Sequence, residues 1–134
     1  AKGEIFTGLE TGGTAVVPFD SDYRDRLLGH ARAATGNVLT FGEGEGADVR
    51  AVRHALHADC TTVTADVAGE TLTYKVGMAG RHWLGNSLGV LAAVKAAGGD
   101  LALAGLALAE LSDLPGRGKR SRLTLGSGGQ AVLI

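Results

Sequence analysis

A single cysteine, Cys60, stands in a chain of 134 residues. That count excludes an internal disulfide and predicts a reducing compartment, with the cytoplasm as the default. Excess charge is missing as well: 13 Lys and Arg against 14 Asp and Glu give −1 at pH 7. No global field therefore draws the chain to nucleic acid or to a membrane surface. Long apolar runs are absent. The most apolar window, residues 84–111, is broken by Lys95, Gly98, Gly99, Asp100 and Glu110, whereas a membrane span needs about 20 uninterrupted apolar residues. Membrane insertion is excluded, and no apolar run behind a basic start suggests a signal peptide. Metal spacing is wanting too. His30, His54, His57 and His82 form no ligand pattern with one another or with Cys60, which argues against a zinc site. His54 and His57 fall three apart in a strand-like segment, a spacing that sends them to opposite faces.

What the chain has in plenty is glycine, 22 residues, more than twice the usual share of about 7%. Many tight turns follow, as in α/β domains. With 45% apolar and 20% charged residues, the length suits one globular domain with a real core. "TAVVPF" reads as a buried strand, and Asp20, Ser21 and Asp22 as helix-start chemistry for "YRDRLLGHARAAT". In that helix Leu27, Leu28, Ala31 and Ala34 face the core and the arginines face water. "NVLTF" is a second strand, so the unit is βαβ with parallel pairing.

Beyond "GEGEG" the pattern alternates. "ADVRAV", "TTVTADV" and "TLTYKV" predict strands with one wet face, the last two a hairpin matching Val63, Ala65 and Val67 with Leu72, Tyr74 and Val76. Two helices follow, over 82–97 and 101–112, with Gly98 ending one and Asp100 capping the next. "LPGRGKR" is a loop, and "SRLTL" and "QAVLI" form a last hairpin around "GSGG". The expected class is α/β: a parallel βαβ portion, a small antiparallel sheet and two packed helices. The start "AKGEIFTGL" reads as mid-helix and the end as a bare apolar strand, which predicts a piece of a longer protein whose open sheet edges could pair with a second copy.

Candidate chemistry is sparse. "GEGEGAD" follows a strand, but Glu43 and Glu45 would repel phosphate and a strand rather than a helix comes next, so a plain turn is favoured over a dinucleotide loop. "GRGKRS" fails as a phosphate-binding loop because residue 113 is Asp and Arg120 follows Lys119. Its basic residues, Arg117 foremost, remain candidates for holding an anion or for a solvated loop. Asp20 and Asp22 lie at a parallel strand's C-terminal end, where α/β folds bind ligands, and helix capping accounts for them equally. In "GRHWLGNSLGVLAAV" a core helix opens on a polar tip. His82 and Asn86 are one turn apart at an N-terminus with free amides, an arrangement able to read a base edge or simply to cap and pack.

In order and spacing, "AKGEIFTGL", "VLTFGEGEGADVRA", "GRHWLGNSLGVLAAV" and "LPGRGKRSRL" resemble the Mur ligases, ATP-dependent amide ligases of peptidoglycan precursor synthesis. The nearest match in that family joins D-Ala-D-Ala to UDP-MurNAc-tripeptide through an acyl phosphate. The resemblance implies that residues 1–134 are the second half of the central ATP-binding domain. It implies ATP and Mg²⁺ as cofactors, Lys2 as the lysine modified by CO₂ to a metal-binding carbamate, and His82 and Asn86 at adenine. Arg117 falls on the arginine at the terminal phosphates. Trp83 stands where many members carry a second adenine-binding asparagine. The family's phosphate loop, its magnesium-binding glutamate and its flanking domains have no counterpart in these residues, so the piece alone is expected to be inactive. The alternatives are another ligase of the Mur and folylpolyglutamate type with a different amine, or a noncatalytic module presenting "GRGKRSR".

Overall fold

The computed structural model describes residues 2–112, 121–124 and 130–133. A 3-10 helix, Lys2–Gly8, leads into strand β1 (Thr14–Pro18), helix α1 (Arg24–Ala34) and strand β2 (Asn37–Gly42). Strands β3 (Val49–Leu56), β4 (Thr61–Val67) and β5 (Glu70–Val76) precede helices α2 (Arg81–Ala96) and α3 (Leu101–Ala109). A separate hairpin of β6 (Ser121–Thr124) and β7 (Gln130–Leu133) completes the described elements.

The first five strands form one sheet in chain order. β1 and β2 are parallel, with Ala15 opposite Val38 and Val17 opposite Thr40. The parallel and antiparallel portions expected from the sequence are both present, joined edge to edge. β3 lies parallel to β2 through Phe41 opposite Val49 and Gly42 opposite Arg50, then turns back antiparallel into β4 and β5. The β4–β5 hairpin forms with the expected residues on its inner face, but its two-residue turn Ala68–Gly69 sets Val63 against Tyr74, Ala65 against Leu72, Val67 against Glu70 and Val76 against Thr61, so Val67 and Val76 lack the apolar partners expected. Between β3 and β4 the register slips after Ala51, so Val52 is an extra, unpaired residue. Before this bulge Val49 and Ala51 point into the core; after it His54 stands opposite buried Val63. The inserted residue re-aims the strand.

Burial follows from these periods. α2 places Leu84, Ser87, Leu88, Leu91 and Ala92 on one face, and that stripe covers the inward residues Val49, Ala51, Val63, Ala65, Val67, Tyr74 and Val76. Leu108 of α3 joins the same core. On the other face of β1, the residues Ala15 and Val17 pack with Phe6 and Ala31, so this strand is covered on both sides, as a parallel strand normally is. Asp100 caps α3 through its carboxylate and the Leu103 amide at 3.0 Å, and Gly98 ends α2 in the left-handed region at φ +72°. No helix among the described residues is long and apolar enough to cross a membrane.

Four expectations need correction. The opening residues form a short 3-10 helix rather than the middle of an α-helix. Ala34, at the last position of α1, is exposed. Arg24 does not face open water; its guanidinium lies 4.6 Å above the Phe19 ring, a cation–π contact. Asp20 and Asp22 do not cap α1. The cap position is Tyr23, which has no side-chain cap bond, and the turn into the helix is made by Ser21, whose Oγ accepts from the Tyr23 amide at 3.2 Å and whose carbonyl accepts from Arg24 at 2.9 Å. The aspartate that pattern reading assigned to the helix is committed elsewhere, as described below.

Two predictions follow from the packing. Tyr74 is buried and its hydroxyl meets Ser87 Oγ at 2.8 Å. Burial pushes its pKa from 10.0 up to about 12, against a smaller opposing effect of the Ser87 bond. The folded state thus favours the neutral phenol, and the stability this contributes is complete below pH 10 and lost as pH climbs toward 12. Tyr74→Phe should cost about 1 kcal/mol at neutral pH and flatten that alkaline decline, measured by denaturant unfolding across the range. At the β4–β5 turn, Ala68 (φ 49°) and Gly69 (φ 94°) both adopt positive φ, the two-residue hairpin geometry that disfavours a Cβ. Ala68→Gly should therefore raise stability by roughly 1 kcal/mol, read as a higher unfolding midpoint.

Candidate functional site

The C-terminal ends of β1 and β2 and the N-terminus of α2 meet around the loop that follows β2. Asp20, just past β1, accepts the Glu43 amide on Oδ2 at 2.6 Å and the Gly44 amide on Oδ1 at 3.0 Å. "GEGEG" is thus a turn, as its acidic residues implied, and two of its amides are already taken by a carboxylate. Asp48 closes the loop's far side. Its Oδ2 accepts from the Thr40 amide at 2.8 Å and from the Thr40 hydroxyl at 2.7 Å, and Thr40 Oγ1 accepts the Asp48 amide at 3.1 Å. Sequence reading missed this reciprocal staple.

Helix α2 opens without a side-chain cap. Gly80 occupies the cap position at φ 123°, and its carbonyl accepts from the Trp83 amide at 3.1 Å. An uncapped N-terminus carries partial positive charge and unsatisfied amides. His82 and Asn86 stand on its first two turns and both are exposed. Trp83 is half-buried against the main core, with its ring centroid 5.5 Å from that of His82. The indole therefore packs inward, away from the role of a second base-edge donor. Arg81 Nη2 donates to Glu43 Oε1 at 2.7 Å, and the other carboxylate oxygen lies 3.8 Å from His54 Nδ1. His57, beyond the end of β3, instead meets Thr62 Oγ1 at 3.3 Å. The two histidines do diverge.

Lys2 lines a cavity of about 470 Å³ with Pro18, Ser21, Arg26 and His30 among its neighbours. Two cationic side chains and an imidazole around one cavity at the end of β1 favour an anion there. Among the described residues, no group of three His, Cys, Asp or Glu is placed to hold a metal ion. Arg117, Lys119 and Arg120 lie outside the described residues, and so does the "LPGRGKR" loop. The structure thus sets Lys2 at the end of β1, and His82 and Asn86 at the helix tip tied to the end of β2.

A mixed five-stranded sheet packed against helices defines an α/β domain, a class that binds ligands outside the carboxyl ends of its parallel strands. The Mur ligase middle domain model matches residues 1–94, and the chain belongs to this family. A UDP-N-acetylmuramate–L-alanine ligase from Streptomyces coelicolor is 34% identical over 102 residues, 71% of this chain and 22% of the relative. The chain thus spans about a fifth of that relative's length. A crystal structure of MurF from Acinetobacter baumannii matches with a TM-score of 0.84 at 22% identity, over 98% of this chain and 28% of that one. A MurF ligase from Thermotoga maritima, solved in complex with ADP, matches with a TM-score of 0.65 at 23% identity, over 90% and 27%. At these identities the two solved structures establish the fold.

Proposed function

We propose that residues 1–134 are the second half of the central ATP-binding domain of a peptidoglycan precursor ligase acting in the cytoplasm, inactive without the remainder of the enzyme. Two observations support this reading: a cavity at the end of β1 lined by Lys2, Arg26 and His30, and an uncapped, polar α2 tip tied to the loop after β2. Asn86 and His82 are free to meet an adenine edge, since both are exposed beside amides that no side chain caps. Lys2, once its neutral amine has taken up CO₂ as a carbamate, offers anionic oxygen toward Mg²⁺, a hard cation that selects such donors. With no three-donor group among the described residues, the other metal ligands come from elsewhere in the enzyme. Arg117 is assigned to the terminal phosphates by its place in the "GRGKR" motif.

When bound, ATP supplies the phosphoryl group that converts a carboxylate into an acyl phosphate open to an attacking amine. This chain's contribution is to bind and orient the nucleotide and to balance charge. For the amine we favour D-Ala-D-Ala acting on UDP-MurNAc-tripeptide. This is supported by the "GRHWLGN" and "LPGRGKRSRL" segments and by the likeness to a MurF fold across 98% of the chain. One observation favours a second reading, L-alanine added to UDP-N-acetylmuramate: the relative from Streptomyces coelicolor bears that activity in its name.

Assaying the full-length ligase with each pair of substrates decides between them. Phosphate release dependent on UDP-MurNAc-tripeptide and D-Ala-D-Ala supports the first, and turnover only with UDP-N-acetylmuramate and L-alanine replaces it with the second. In the same enzyme, Asn86→Ala should raise KM for ATP by about tenfold and narrow the preference for ATP over GTP. An unchanged KM and base preference would remove Asn86 from the nucleotide site.

A further inference from the structure

Proposing a nucleotide role for α2 leaves open what aims its tip. The helix begins at a glycine with no side-chain cap, so its first turn is held by the packing of Trp83 and Leu84 and lacks a polar anchor of its own to fix its exposed face. The nearest outside tie is the ion pair from Arg81 to Glu43, at 2.7 Å. Glu43 is itself held by its backbone, whose amide donates to Asp20 Oδ2 at 2.6 Å, while the next amide, that of Gly44, donates to Oδ1 at 3.0 Å. A chain of contacts therefore runs from the end of β1 through the loop after β2 to the residue preceding His82.

The alternating glycines make this chain possible. A Cβ at Gly42 would collide with the Asp20 carboxylate, one at Gly44 with the Phe19 ring and Asp20, and one at Gly46 would sit 2.8 Å from Phe19 Cζ. The loop must lie flat against Phe19 and Asp20 for both amides to reach the carboxylate, and only glycine permits that approach. The Arg24 guanidinium lies over the Phe19 ring, 4.6 Å from its centroid. On the third side, the bulge at Val52 brings His54 to within 3.8 Å of the free oxygen of Glu43. Thus "GEGEG", unsuited to bind phosphate, has a different use.

We propose that Asp20, Glu43 and Arg81 form a positioning clamp that fixes the orientation of the α2 tip and thereby sets base recognition by His82 and Asn86. The inference rests on the nucleotide reading of α2 given above. Arg81 is two-thirds exposed and Glu43 about one-third, so the pair adds little to global stability. Its effect falls on geometry, where a small displacement of a recognition group is costly.

The test uses the full-length ligase with ATP, ITP and GTP, recording kcat, KM and the thermal midpoint. Glu43→Gln and Asp20→Asn should each raise KM for ATP by roughly fivefold to tenfold, narrow the ATP to ITP preference, and leave kcat at saturating ATP and the thermal midpoint near those of the parent. The charge-reversed pair Glu43→Arg with Arg81→Glu should recover most of the KM lost by either change alone. Additive losses in the double variant would overturn the clamp, as would a KM rise matched by equal loss for all three nucleotides. Asn86→Ala separates the two ideas. If it weakens ATP and narrows base preference while the Glu43 and Asp20 variants behave as the parent, the clamp fails and the base reading stands. If Asn86→Ala changes neither, both fall.

Discussion

Helix α2 and the sheet beneath it depend on each other more than any other two elements. Among the described residues it is the one helix that touches all five strands of the main sheet, and its buried residues include Leu84, Leu88, Leu91 and Ala92. Burying a leucine contributes about 1.5–3 kcal/mol, so its three buried leucines outweigh any single polar contact in the domain. The two halves of the sheet share only two register pairs between β2 and β3. Without a helix lying across that seam, the hairpin strands would have little to hold them to the parallel strands. The same packing that closes the core also delivers the helix tip to the strand ends. Core and site share one cause.

A division of labour follows along α2. Its middle is fixed by apolar area, which is strong but non-directional. Its start shares that burial through Leu84 and adds ties of charge and backbone geometry, which are weak individually but directional. Ser87 marks the boundary: fully buried, it donates to the Leu84 carbonyl and meets the Tyr74 hydroxyl, each at 2.8 Å. No buried side-chain polar atom among the described residues is left without a partner. Such a satisfied core leaves polar function to the exposed turn just upstream.

Much of this was legible in the sequence, and the reasons differ by element. The β4–β5 hairpin was readable because each strand alternates, over Thr61–Val67 and Glu70–Val76, and the inner residues Val63, Ala65, Val67, Leu72, Tyr74 and Val76 are apolar or aromatic. The βαβ unit was readable from "TAVVPF" and "NVLTF", since both are short apolar runs separated by a helix-length segment. The joining of the two sheet portions was not, because register between parallel strands leaves no trace in periodicity. Nor was the destination of Asp20. An aspartate before a helix is an ordinary cap, and its actual partners, at Glu43 and Gly44, are far along the chain. The glycines of "GEGEG" carried the one usable hint, since three glycines at every second position imply something large pressed against that edge. His82 and Asn86 were singled out by type and placement and stand on the first two turns of α2, whereas Lys2 was singled out only by the family resemblance and lines a cavity at the end of β1; Arg117 falls outside the described residues.

The unpaired Val52 carries a consequence of its own. Up to Ala51 the odd-numbered residues of β3 look inward, and from His54 onward the even-numbered ones do. Parity along this strand is therefore a property of its length. A strand lacking that residue would pair regularly, still set the counterpart of His54 opposite Val63, and lose only the local kink. The extra residue therefore changes the course of the strand without changing the face on which His54 stands.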